Sequence, residues 1–392
     1  MKRTTFLLLL LMLWLAPKMT LADPIDLAGT WSVELDRQDQ GEAQKWFDRN
    51  LSGKISLPGV LTAQGYGDPP SMKTPWVGNI NQAWFNDPYY KQYQTAQNFK
   101  MPFWLQPDRY YAGAAWYQRQ IEIPQDWQGK RIVLFLERCH WQTTVWLDGR
   151  LVGSNDSLGT PHVHELGIDV TPGKHRLTIR VDNRTIIPVG IDAHSASDHT
   201  QGNWNGIAGR IELQATDPVW IDDVRVTPNI EDKTATVAVS IRNLTQKQGN
   251  GTLTIRVAGK DQTLAFPISW SASGREAFCK YKMGDDCQLW DEFHPVTYTM
   301  TVALKGDGCQ DETSVSFGMR QMGKQGTRIA INGRPIFIRG TLECCIFPLT
   351  GHPPTDVDSW KRIITVCKAH GLNHIRFHSW CPPEAAFFAA DE

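Results

Sequence analysis

Sugar rings present apolar C–H faces that pack on aromatic planes, while neighbouring amides and carboxylates take up the hydroxyls. Between Trp76 and Tyr117 this chain carries thirteen aromatic residues, where its overall content of 16 Trp, 15 Phe and 9 Tyr predicts about four. They are Trp76, Trp84, Phe85, Tyr89, Tyr90, Tyr93, Phe99, Phe103, Trp104, Tyr110, Tyr111, Trp116 and Tyr117. They sit among Asn, Gln, Asp and Pro without a clear period. The pattern fits a loop that reaches toward a glycan or rims a sugar site, and it also fits a long insertion folded onto its own rings.

Other residue types offer chemistry that their spacing withholds. His370, His374 and His378 are four apart, as metal ligands on one helix face would be, but Gly371 and the strand-like run after it break that geometry. His162-Val163-His164 would need partners that the sequence does not identify. The cysteines are Cys139, Cys279, Cys287, Cys309, Cys344, Cys345, Cys367 and Cys381. None forms a Cys-x-x-Cys pair, and they are too sparse for a disulfide scaffold. Cys279 and Cys287 can pair across a hairpin in an oxidising compartment, and most of the others read as unpaired buried thiols. Nothing in the pattern calls for a cofactor or a resident metal.

The elements that must position these groups follow from composition and periodicity. The 392 residues are 41% hydrophobic, which suits a folded globular chain. Lys+Arg 40 against Asp+Glu 41 excludes a basic footprint for nucleic acid. One apolar run, from Phe6 to Ala16, follows Lys2 and Arg3 and precedes Thr20-Leu21-Ala22. It is short for a bilayer span, so residues 1–22 read as a secretory signal that sends the chain to the periplasm or outside the cell, with no membrane span after its removal.

From Trp31 onward, short alternating runs recur between Gly, Pro, Asn and Asp clusters, the grammar of β-sandwiches. One set runs to Arg210-Ile211-Glu212-Leu213, and a boundary falls near Thr216-Asp217-Pro218. A second set reaches Phe317, a length that suits an immunoglobulin-like sandwich. The pattern then changes to strand (335–340), helix (capped by Thr355 or Asp356 and stopped by Gly371), strand (372–377) and a helix opened by Pro382-Pro383-Glu384. That is the grammar of a parallel sheet or (β/α) barrel, and the chain stops after two such units.

Several runs together resemble glycoside hydrolase family 2. Ala115-Trp116-Tyr117-Gln118-Arg119, Val145-Trp146-Leu147-Asp148-Gly149, Leu177-Thr178-Ile179-Arg180-Val181-Asp182-Asn183 and Gly206-Ile207-Ala208-Gly209-Arg210-Ile211 are similar to its sugar-binding domain. Phe317-Gly318-Met319-Arg320 and Ile331-Asn332-Gly333-Arg334-Pro335-Ile336 resemble the entry to its catalytic barrel, and Asn373-His374-Ile375-Arg376 the core of its barrel signature. The resemblance implies a mainly β chain: a signal at 1–22, a jelly-roll-like sugar-binding sandwich at 23–217, an immunoglobulin-like sandwich at 218–319 and the start of a TIM barrel at 320–392.

It also implies an enzyme, a retaining exo-β-glycosidase acting on terminal β-linked sugars of a glycan or oligosaccharide. Such enzymes use two carboxyl groups, one to protonate the leaving oxygen and one to attack the anomeric carbon, roughly 5–5.5 Å apart. In the family both glutamates come late in the barrel. The expectation is therefore that they lie past residue 392 and that this chain alone is inactive, with no role for Glu343, Glu384 or Glu392 as that pair.

Arg376 matches the signature arginine that lies near the nucleophile. The family continues with His-Tyr-Pro where this chain has His378-Ser379-Trp380-Cys381-Pro382, which makes His378 and Trp380 candidate sugar contacts. Leu342-Glu343-Cys344 stands where many family β-galactosidases have Asn-Arg-His; this weighs against that specificity and leaves Glu343 as a candidate contact. His199, Gln201, Asn203, Trp204 and Asn205 precede the Gly206 turn, in a loop that approaches the barrel mouth in the family, so Asn203 and Trp204 join the candidates. An oligomer is compatible with all of this. The alternative is a non-catalytic carbohydrate-binding β-sandwich protein, against which the exposed apolar strands of a half-formed barrel argue.

Overall fold

The computed structural model describes residues 22–76, 87–100, 107–188, 190, 196, 198 and 203–392. The signal read over residues 1–22 lies outside these except for its last residue, as do Trp84, Phe85, Phe103, Trp104, His199 and Gln201.

The first sandwich is built from β1 (Gly29–Asp36), β2 (Gly53–Leu57), β3 (Ala114–Ile123), β4 (Arg131–His140), β5 (Gln142–Leu147), β6 (Arg150–Asn155), β7 (His162–Gly167), β8 (Gly173–Asp182) and β9 (Gly206–Thr216). One antiparallel sheet runs β6-β5-β8-β3-β1-β2; the other places β4 between β9 and β7, with Ile25–Asp26 and Gly59–Val60 also paired to β9. Strand side chains alternate between faces, so Tyr117, Ile121 and Ile123 of β3 and Leu177, Ile179 and Val181 of β8 fall on one side. They meet Ile132, Leu134 and Leu136 of β4 and Ile207, Ile211 and Leu213 of β9 in a closed core.

The opposite face of the six-stranded sheet is partly roofed by residues 37–52. Trp116 of β3 and Trp146 of β5 stack at 5.0 Å, and Phe47 lies on Trp146 at 5.2 Å. Buried aromatic pairs of this kind add about 0.5–1.5 kcal/mol beyond the area they cover. The described rings of the aromatic-rich stretch mostly pack on one another or into the core: Trp76 meets Tyr110 edge-on at 4.7 Å, Tyr89, Tyr90 and Tyr93 contact each other, and Tyr111, Trp116 and Tyr117 are buried.

The second sandwich comprises β10 (Val219–Asn229), β11 (Thr234–Asn243), β12 (Gly249–Val257), β13 (Thr263–Trp270), β14 (Arg275–Lys282), β15 (Thr297–Gly306) and β16 (Cys309–Gly318). Its sheets run β10-β11-β14 and β13-β12-β15-β16. They enclose Val237, Val239, Ile255, Tyr281, Met300 and Val302. The Cys279–Cys287 pairing considered from the sequence is not formed, and every cysteine carries a free thiol. Cys279 lies within β14 opposite Val237, whereas Cys287 lies past the Gly284 turn, and each packs against the core separately.

The last segment contains β17 (Gly340–Glu343), α1 (Val357–Ala369), β18 (His374–Phe377) and α2 (Glu384–Asp391), with β17 and β18 parallel. Of the two cap candidates, Asp356 caps α1: its carboxylate accepts from the Ser359 N–H at 2.8 Å. Gly371, at φ 73°, ends the helical turn in the left-handed region that glycine enters freely. The strand expected over 335–340 is split: Arg334–Pro335 pairs antiparallel with Arg328–Ile331, the second arm of the hairpin begun by Met322–Gln325, and the parallel strand forms at 340–343. Among the described residues the only ladder neighbour of β17 is β18, which begins at His374; residues 336–339 pass between the two sheets, with the Ile336 N–H on the Ile329 carbonyl, the Arg339 carbonyl on the Asn373 N–H and Phe337 76% exposed. The fully buried Trp360 joins α1 to Ala385, Ala386 and Ala389 of α2, while Leu342, Val366, Phe387 and Phe388 are exposed.

Candidate functional site

In parallel α/β units the loops after the strand C-termini carry the chemistry. Glu343 ends β17 and Phe377 ends β18, and these two are register partners. The Glu343 carbonyl holds the next loop: it accepts from the His378 N–H at 2.8 Å and from Trp380 Nε1–H at 3.2 Å. Trp380 also stands edge-on to Phe377 at 5.4 Å. His378 Nδ1 lies 2.9 Å from Ser379 Oγ. Glu343, His378 and Trp380 are therefore brought together by one backbone carbonyl.

The Glu343 side chain turns back on its own loop and accepts from the Cys345 N–H at 3.0 and 3.1 Å. Burial pushes this carboxyl above the usual carboxylate range, against the lowering effect of those backbone donors. Cys345 itself is buried at φ 59°, and burial pushes its thiol well up, so it is a packing residue rather than a ready nucleophile.

Arg376 is separated from this group by strand alternation. It pairs with Leu342, and both are exposed on the face of the β17–β18 pair opposite Glu343 and Phe377. Phe377 meets Trp360 at 5.7 Å, so the Glu343 face is the one covered by the helices. Arg376 thus lies on the uncovered face, one residue before the strand end.

Asn203 and Trp204 come from the first sandwich, on the segment leading into β9. Trp204 is only 4% exposed. Its ring is flanked by His140 at 5.2 Å and His352 at 6.0 Å, the latter from the loop after β17. Its carbonyl lies 2.7 Å from His140 Nδ1, while its buried Nε1–H has no acceptor among the described residues. Asn203 is half-buried; its Oδ1 accepts from Asn183 Nδ2 at 3.0 Å, and its own buried Nδ2 has no acceptor among the described residues. Trp204 therefore joins the first sandwich to the βα unit, with little ring surface left for a ligand.

Residues that sequence reasoning passed over make the rest of this junction. Arg138 donates to the Pro382 carbonyl and, at 3.4 Å, to that of Leu158. Arg210 bridges Glu137 at 3.2 Å and Glu384 at 2.9 Å. Gly351, at φ 78°, packs on Val60 and Pro107 where a side chain would crowd them. On the other side, Trp290 of the second sandwich donates to the Asp391 carbonyl at 3.0 Å. The signal available in the sequence was Glu137-Arg138-Cys139-His140, ionisable groups closing an otherwise apolar strand.

Arg138→Met should leave the Pro382 carbonyl without its donor in a buried setting, at about 2–3 kcal/mol. Hydrogen exchange of the α2 amides should then accelerate roughly 30- to 100-fold, with amides in β3 and β8 unchanged. Equal protection of α2 in both proteins would contradict this linkage.

Residues 77–216 match the family model described as glycosyl hydrolases family 2, sugar binding domain, and residues 219–320 match the model described as glycosyl hydrolases family 2. A β-glucuronidase of Paenibacillus borealis is 24% identical over 346 residues, which cover 83% of this chain and 50% of that protein. A Bacteroides uniformis β-glucuronidase structure superposes with a TM-score of 0.70 at 18% identity, covering 94% of this chain and 41% of that one. A β-galacturonidase structure from Eisenbergiella tayi gives 0.65 at 18% identity, covering 95% and 56%. The chain spans about half the length of the curated relatives it matches.

Proposed function

The chain belongs to glycoside hydrolase family 2, and from that membership we propose that it is the sugar-facing N-terminal part of a retaining exo-β-glycosidase. In this reading β17-α1-β18-α2 begins a (β/α) barrel. Arg376 faces the barrel interior, and the two catalytic carboxyl groups come from sequence past residue 392. The secretory signal read over residues 1–22 makes an extracytoplasmic glycan the source of the terminal β-linked sugar. β-Glucuronides and β-galacturonides are the first substrates to test, followed by β-galactosides.

The observation that carries the proposal is the position of Arg376. It stands beside the strand end on the face that the helices leave open, where a barrel strand directs residues inward. A guanidinium there keeps a neighbouring nucleophilic carboxylate ionised and oriented. The glutamates present in the last segment already have other tasks. Glu343 binds the Cys345 N–H, Glu384 pairs with Arg210, and Glu392 pairs with Lys361. Exposed Leu342, Phe387 and Phe388 further support the presence of more βα units against this one.

Turnover of aryl β-glycosides by the complete polypeptide that carries these residues tests the proposal. Arg376→Ala should lower kcat/KM of the complete polypeptide at least about 100-fold, or roughly 2.7 kcal/mol, and should leave unmoved the urea midpoint of residues 1–392, in which the side chain is exposed. Arg376→Lys should recover part of the loss. Unchanged kcat/KM in Arg376→Ala would overturn the assignment, and so would turnover by residues 1–392 alone.

A further inference from the structure

A cavity of about 760 Å³ opens on the outer face of the six-stranded sheet, beside the roof formed by residues 37–52. Its floor is a cross-strand lattice of polar side chains. Ser32 of β1 is the register partner of Gln118 of β3, and Gln120 of β3 that of Arg176 of β8. The cavity lies near the start of β8, while Asn183, at the other end, belongs to the junction with the βα unit. Seven residues of strand separate Arg176 from Asn183, roughly 23 Å. The cavity is therefore a surface apart from Arg376 and its surroundings.

Its charge is unbalanced in a chain whose formal net charge is -1. Lys54, Lys174 and Arg176 line it against two carboxylates, Asp48 and Asp148; Arg119 also borders it, but alternation puts its guanidinium on the inner face with Tyr117 and Ile121. None of these three cations forms an ion pair among the described residues, whereas Arg49, Arg131, Arg180, Arg184 and Arg210 of the same sandwich all do. The groups they do touch are neutral: Lys54 Nζ donates to Ser32 Oγ at 2.9 Å, and Arg176 to the Asp48 carbonyl and to Asn50 Oδ1. The Asp148 carboxylate is already engaged by His175 Nδ1 at 2.6 Å and the Arg176 N–H at 2.7 Å.

We propose that this groove is a second carbohydrate-binding site, distinct from the Arg376 face, that takes an anionic oligosaccharide bearing carboxylate or sulfate groups. Amides and hydroxyls on the floor match sugar hydroxyls, and unpaired cations on the walls match the anionic substituents. The volume is toward the upper end of what small-molecule sites enclose, which accommodates several linked sugars. The site would hold a polyanionic chain on the enzyme between cleavage events. The inference rests on the family reading for the choice of a glycan, but not on turnover.

The test is binding to the 392-residue chain by titration calorimetry, so catalysis plays no part and failure of the glycosidase reading is scored separately. The probes are a tetragalacturonate, a sulfated heparin tetrasaccharide and neutral cellotetraose. At least one anionic probe should bind at least tenfold more tightly than the neutral one and weaken with added salt. Which anionic probe binds identifies the substituent recognised. Lys54→Gln/Lys174→Gln, which leaves the Arg176 contacts intact, should weaken that probe at least tenfold. Lys324→Gln/Arg328→Gln, an equal charge change on a distant exposed hairpin, should not. Absence of saturable anionic binding, equal affinity for the neutral probe, or equal losses in both double variants would overturn the proposal.

Discussion

Asn205→Ala should lower the stability of the first sandwich by about 2–6 kcal/mol. Asn205 is fully buried and joins three strands. Its Nδ2 donates to the Gly113 and Val181 carbonyls, each at 3.0 Å, and its Oδ1 accepts from the Tyr117 hydroxyl at 2.8 Å. Burial pushes the Tyr117 phenol well above its ordinary range, so it remains a donor. Truncation leaves the Tyr117 hydroxyl without its acceptor in a core that water does not reach, at about 1–3 kcal/mol, and takes one donor from each carbonyl, at about 0.5–1.5 kcal/mol each, since that of Gly113 still receives the Asn183 N–H and Val181 stays in the β3–β8 ladder. Against a typical total of about 5–15 kcal/mol, that removes much of the margin.

Asn183, also fully buried, receives the Gly113 N–H at 2.9 Å and holds Asn203. The damage should therefore spread to the Asn203–Trp204 segment and its contact with His352. Urea unfolding followed by tryptophan fluorescence measures the loss, since Trp31, Trp116 and Trp141 are buried in this sandwich. Tyr117→Phe, which strands only one acceptor, should cost about 1–2 kcal/mol. A loss below about 1 kcal/mol in Asn205→Ala would show that the network carries less than its geometry implies.

Acidification should destabilise the same sandwich between pH 6.5 and about 4, by about 3 kcal/mol from His164 alone. His162 and His164 are buried on β7 and share Thr143, whose Oγ1 lies 2.7 Å from His162 Nδ1 and 2.9 Å from His164 Nε2. His162 Nε2 faces the Ser157 carbonyl at 2.8 Å. One assignment satisfies every contact: His164 Nε2–H donates to Thr143, Thr143 donates to His162 Nδ1, and His162 Nε2–H donates to Ser157. Both rings are then neutral. Burial lowers the pKa of both, and that of His164 falls to about 4, helped by its neighbour His162.

The sign follows from proton uptake. Above pH 6.5 neither the folded nor the unfolded state protonates these rings, so stability is flat. Below it the unfolded chain binds protons that the fold refuses, and stability falls until the pH reaches the folded pKa. His164→Gln should flatten this decline by close to one proton, whatever its effect on absolute stability. Urea midpoints measured from pH 7.5 to 4.5 report the slope, and equal slopes in the two proteins would contradict the account.

Periodicity made much of this fold legible. Alternation in runs such as Arg131–His140 and Thr234–Asn243 reflects strands with one buried face, a pattern any sandwich must write into its sequence. The helix over Val357–Ala369 was readable from its apolar spacing, Asp356 and Gly371. The division of the 335–340 run between an antiparallel pair at 334–335 and the parallel strand at 340–343 was not, because an apolar run records the wish to be buried and not the neighbour that would pair with it.

The candidate site divides the same way. Family motifs pointed to Arg376, His378, Trp380, Glu343, Asn203 and Trp204. Spacing could not say that Arg376 and Glu343 lie on opposite faces of one parallel pair, or that Trp204 is enclosed by His140 and His352. The partner of Arg138 lies 244 residues away, and that of His162 is a threonine nineteen residues earlier. Contacts of that range are set by topology, which residue types alone do not encode.

The function proposed from family membership, with its two carboxylates and Arg376 beside the nucleophile, requires retention of configuration. The anomer first released from an aryl β-glycoside by the complete polypeptide, followed by proton NMR before mutarotation, reads that property directly. The β-anomer should appear first, and Arg376→Ala should suppress its formation. Appearance of the α-anomer first would contradict the retaining mechanism and with it the function proposed for this chain.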